Sequence, residues 1–75
     1  MKTHELIKAK RLALDLTLDE LGDAAGVSKS HLHGLENGKH PNFSFITAIR
    51  LSVALGIPLQ VLAASMISNN EEIKS

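Results

Sequence analysis

TLDELGDAAGVSKSHLHGLENGK, residues 17–39, holds two helix start signals with a glycine between them. Thr17 and Glu20 have the three-residue spacing at which an N-cap hydroxyl and a carboxylate exchange hydrogen bonds with each other's backbone. Leu16 and Leu21 are placed to pack together across that first turn. The helix so opened runs to about Ala25, and Gly26 suits the left-handed stop position after it. Ser28 caps a further helix from Lys29 to about Glu36, with Val27 against Leu32 as its staple. Only about three residues separate the two helices.

At about 100° per residue, Leu32 and Leu35 share one face of that second helix. Ser30, His33 and Gly34 share the opposite face, with Lys29 and His31 on its flanks. The apolar side is expected to be core and the polar side to be presented. Upstream, Leu6, Ile7, Ala9, Ala13 and Leu14 recur at helical spacing and predict a first helix over Thr3–Leu14. Downstream, NGKHPN is a loop on composition. Ser44 can cap a fourth helix carrying Phe45, Ile49, Leu51 and Leu55, which Gly56 ends. Pro58 opens a short fifth helix with Leu59, Val61 and Leu62, and SNNEEIKS is expected to fray. The fold class is therefore all-α, a compact five-helix bundle, with a domain over residues 1–65 and a polar tail over residues 66–75.

A chain of 75 residues has room for one domain with a thin core, for which association is a natural way to bury more surface. Without cysteine, apolar packing rather than disulfides or thiolate–metal bonds must hold it together. MKTHELIKAK has no apolar run suited to a signal peptide and no membrane span is legible, so a cytoplasmic setting is expected. The formal net charge is +0, but the charges are segregated. Asp15, Asp19, Glu20 and Asp23 cluster, whereas Lys8, Lys10, Arg11, Lys29 and Lys39 fall elsewhere, so one basic face remains open to the chain.

Two short helices on a tight glycine turn, the second with its core side spent and a small polar outer side, follow the plan of a helix-turn-helix. The DNA major groove admits one helix, whose first residues reach base edges while N–H groups at helix starts meet phosphates. Arg11, the TLDELGDAAGVSKSHLHGLENGK stretch and ALGIPLQVL together resemble the XRE family, the lambdoid phage repressor and Cro type of helix-turn-helix, over about residues 5–63. The resemblance implies a repressor-like bundle in which Arg11 and Glu36 form an ion pair tying the reading helix to the scaffold. It places Thr17 and Leu18 against phosphate, Ser28 at the start of the reading helix, and Lys29, Ser30, His33 and Gly34 toward bases. Asn37, Lys39 and the following loop with His40 then lie on the DNA backbone.

Four positions depart from the family's usual residues or bear on its turns. Leu18 stands where a polar side chain commonly touches phosphate. Gly22 replaces the small alanine that lets the helices approach, at roughly 1 kcal/mol of helix propensity. Asp15 sits where the chain often turns left-handed, which Asp tolerates. Gly34 brings no hydrogen-bonding side chain to a site that can carry a base reader.

The histidines His31, His33 and His40 invite a metal reading, but His31 and His33 diverge by about 200° on the helix and cannot share an ion. Beside phosphates they are expected instead to gain protons, so that DNA affinity rises as pH falls from about 8 to 6. No nucleophile beside a base, phosphate-binding glycine loop or paired carboxylate suggests catalysis, and no cofactor is expected. The expected function is a sequence-specific transcriptional regulator. It would act as a homodimeric repressor on an inverted-repeat operator of phage, plasmid or mobile-element genes, with Met66, Ile67 and the exposed side of the fifth helix read as a dimer contact in preference to a plain core edge. The alternatives are an antitoxin-like module that docks on a protein partner through its polar tail, and a scaffold that has lost DNA binding.

Overall fold

Thr17, Ser28 and Ser44 become caps in the computed structural model, which describes the backbone of residues 2–40 and 43–74 and the side chains of 2–40 and 43–67, whereas Pro58 precedes the first residue of the fifth helix. The helices are α1 (Thr3–Ala13), α2 (Leu18–Ala25), α3 (Lys29–Glu36), α4 (Phe45–Leu55) and α5 (Leu59–Lys74). At the start of α2 the Glu20 N–H donates to Thr17 Oγ1 at 3.1 Å and the Thr17 N–H to Glu20 Oε1 at 2.9 Å. Ser28 Oγ accepts from the His31 N–H at 3.2 Å and Ser44 Oγ from the Thr47 N–H at 3.1 Å, capping α3 and α4. These bonds satisfy N–H groups that no helical carbonyl can reach.

The stops are left-handed turns. Gly26 has φ 69°, and the Val27 N–H returns to the Gly22 carbonyl at 3.0 Å, closing α2 as the sequence predicts. Asp15, between α1 and α2, also takes a positive φ, 58°, as expected. The first helix ends one residue earlier than predicted, with Leu14 as its C-cap. The larger difference lies in α5. In place of a short helix, α5 runs 16 residues to Lys74. Nothing between Leu59 and Lys74 is glycine or proline, so no residue interrupts the backbone ladder after Leu62.

The core draws on every helix: Ile7, Leu21, Leu32, Leu35, Leu51 and Leu62 are fully or almost fully buried. Burying each such side chain is worth roughly 2 kcal/mol. Helix α3 packs on α1 and α2, while α4 packs on α1, α2 and α5. The Leu16 and Val27 staple residues pack against this cluster, as the spacing predicts. The α2–α3 approach is closer than an alanine would permit. A Cβ built on Gly22 would lie 2.6 Å from the Val27 carbonyl oxygen, so glycine is required here where the family pattern has alanine.

Candidate nucleic-acid interface

Arg11 is the joint from which the interface is built. Its Nε donates to Glu36 Oε2 at 2.7 Å and its Nη2 to Glu36 Oε1 at 2.9 Å, a two-pronged pair, while Nη1 donates to the Leu16 carbonyl at 2.7 Å. One guanidinium thus fastens α1, the left-handed turn at Asp15 and the end of α3. Glu36 is buried and Arg11 largely so, at 6% and 12% side-chain exposure, and the planar fork matches a carboxylate better than an ammonium would. The hydrogen bond and charge of Glu36 hold the Arg11 pKa above its ordinary value against the opposing effect of burial.

With α3 fixed this way, its outer side presents Lys29, Ser30 and His33, all exposed as expected, with Ser28 exposed at the N-terminus. Lys29 Nζ lies 3.5 Å from Asp19 Oδ2 across the α2–α3 angle, and with both side chains solvated the pair is weak and readily exchanged. At the other end, Asn37 Nδ2 donates to the His33 carbonyl at 2.9 Å and lies 3.3 Å and 3.4 Å from the His33 ring nitrogens. Asn37 therefore caps α3 and holds His33 in place. Gly38, at φ 74°, turns the chain, with its N–H on the Leu35 carbonyl and the Lys39 N–H on the Gly34 carbonyl at 2.9 Å. Thr17, Lys39 and His40 are exposed, whereas Pro41 and Asn42 of the expected backbone-binding loop lie outside the described residues.

Two candidates occupy other environments than expected. Leu18 is half-buried and packs on the core, because an apolar side chain at the first position of α2 gains more from that cluster than from water. Only the backbone start of α2 remains for a phosphate at that point. Gly34 is buried instead of open to a base, since the His40 ring covers it. Spacing puts Gly34 on the same side of α3 as Ser30, and the loop lays the His40 ring over it.

Other contacts had no single-residue signal in the sequence. Arg50 Nη1 donates to the Gly26 carbonyl at 3.4 Å, bracing the α2–α3 turn from α4, and its only hint is that it is the one charged residue in FITAIRLSVAL. Thr3 Oγ1 and Ser65 Oγ are 2.9 Å apart, joining α1 to α5, and the Ser65 hydroxyl also donates to the Leu62 carbonyl at 2.6 Å. The pair is 62 residues apart, beyond any local pattern. Among the described residues no three His, Cys, Asp or Glu side chains converge as metal ligands, and no helix is long and apolar enough to cross a membrane.

A capped helix pair on a glycine turn, with the second helix pinned from behind and polar in front, defines a DNA-binding domain of the helix-turn-helix class. The family described as Helix-turn-helix matches residues 7–62, more than half of the chain and bounded by the buried Ile7 and Leu62. The chain belongs to this family, in its XRE type, and is a DNA-binding transcription regulator of that type. No curated protein matches it.

Proposed function

We propose that the protein is a sequence-specific repressor that binds an inverted-repeat operator as a homodimer and controls phage, plasmid or mobile-element genes. The observation that carries the reading is the polar front of α3, where Lys29, Ser30 and His33 are exposed on a helix held from behind by Arg11 and Glu36. Lys29 and Ser30 lie in the first turn of α3, the part of a reading helix that reaches base edges. Thr17, Ser28, Asn37 and Lys39 surround this front and are suited to the phosphates that set register.

The dimer is supported by an apolar groove that Phe43, Phe45, Leu59, Met66 and Ile67 line beside α5. Phe45 is 67% and Ile67 58% exposed, which is unfavourable in an isolated 75-residue chain and favourable once a second copy covers them. Met66 already packs on the core, so Ile67 and Phe45 are the contact residues.

Selection from random duplexes tests the proposal, followed by titration of the winning site at several salt concentrations. A palindromic site should emerge, and Lys29→Ala should weaken it much more than bulk DNA if the ammonium reads a base. Failure to enrich any sequence, with the protein folded, would refute sequence-specific operator binding.

A further inference from the structure

At position 34 the reading helix has no side chain, and a residue from the following loop takes its place. Gly34 lies one turn beyond Ser30 on the outward row of α3, yet it is buried. His40 covers it: a Cβ built on Gly34 would lie 2.7 Å from His40 Cδ2, 2.7 Å from Nε2 and 3.9 Å from Cε1. The imidazole therefore stands on its Cδ2–Nε2 edge against bare helix backbone, which directs the opposite vertex, Nδ1, away from the helix.

The end of α3 accounts for this placement. Gly38 turns left-handed and the Lys39 N–H bonds back to the Gly34 carbonyl itself, so the next residue lands on the outer side of residue 34. On the flank, the His31 ring meets the His40 ring edge to face, with centroids 5.2 Å apart and planes at 89°. His40 is thus seated on glycine beneath and on the His31 ring beside it.

We propose that His40 is a base-reading side chain, delivered by the loop in place of the one that residue 34 lacks, with Gly34 as its positioning residue. The role rests on α3 being the DNA-reading helix. The group presented is one imidazole nitrogen, which as an N–H donor fits the N7 or O6 acceptors on a purine edge in the major groove.

The glycine supplies the test, because a methyl at position 34 meets a movable side chain and no backbone. Gly34→Ala should fold with an unchanged or raised thermal midpoint while shifting the ring proton resonances of both His31 and His40. Random-duplex selection with wild type, Gly34→Ala, His40→Ala and the double variant then reads the role. Both single variants should lose discrimination at the same base pair of each half-site, by about tenfold, with binding to bulk DNA little changed. The double variant should lose no more than either single one.

A selected site whose base preferences are the same in His40→Ala overturns the proposal. So does an equal loss on every sequence, which marks a phosphate contact, or unshifted histidine resonances in Gly34→Ala. If the wild type itself enriches nothing, the sequence-specific reading of α3 fails, and this role with it.

Discussion

At the scale of single residues, the Arg11–Glu36 pair bears most on how α3 is presented, and two buried glycines set what lies against α2 and α3. A small domain is stable by roughly 0.05–0.15 kcal/mol per residue, so the loss of one buried charge partner consumes much of the total. Glu36→Ala leaves a guanidinium with 12% exposure beside no carboxylate, and should lower stability by about 3 kcal/mol, read as a fall in the urea midpoint. Because the folded Arg11 pKa lies above the unfolded one, the stability tied to it is complete below the ordinary arginine range. It is lost only as pH rises through the folded value, so titration of Arg11 should not alter stability between about pH 5 and 9. The glycines contrast in kind. Gly22→Ala gains about 1 kcal/mol of helix propensity but drives its methyl into the Val27 carbonyl, a backbone atom 2.6 Å away. The net effect should be destabilisation by about 1–2 kcal/mol, and a thermal midpoint at or above that of wild type would contradict the close helix approach.

At the scale of elements, α2 and α3 show how a negative charge tempers a binding surface. Asp19 lies in the first turn of α2, where a carboxylate favours the helix N-terminus, and it also reaches Lys29. DNA approaching α3 must displace that carboxylate and tolerate its charge. Asp19→Asn should therefore raise DNA affinity by about two- to tenfold at low salt, with the advantage shrinking as salt rises. Equal affinity of the two proteins at low salt would mean that Lys29 and Asp19 both lie away from the DNA. The same scale marks the limit of pattern reading for α5. Pro58 and Leu59 announce its start, but polar residues after Ile67 give no apolar period from which to place its end.

For the whole molecule, the decisive quantity is apolar surface left in water. Phe45, Ile46, Val53 and Ile67 are each more than half exposed, and Phe45 and Ile67 flank one groove. If the proposed dimer closes over this groove, wild type should sediment as a dimer and Ile67→Asp as a monomer with the helical spectrum intact, because the exposed side chain contributes little to the monomer's core. Operator affinity should then fall steeply with the loss of the second half-site. A variant that still sediments as a dimer would move the interface elsewhere. Zero net charge does not oppose DNA binding, since the Lys29 ammonium is held only by a solvated contact to Asp19 while Glu36, the carboxylate at the end of α3, is neutralised by Arg11.

Local chemistry made much of this protein legible. The Thr17, Ser28 and Ser44 caps, the left-handed Gly26 and the split of α3 into leucine and polar faces depend on interactions within a few residues, which spacing alone encodes, whereas the left-handed turn at Asp15 is implied by the family resemblance. The expected Arg11–Glu36 pair came instead from likeness to a family, and the fold provides its geometry. Only the tertiary structure decided that Leu18 turns to the core, that Gly22 must be glycine, that Arg50 braces the turn and that Thr3 meets Ser65. It alone decided that His40 covers Gly34. The physical reason is common to all five: each depends on which atoms a neighbouring segment brings within contact distance, and that is set by packing rather than by the local backbone.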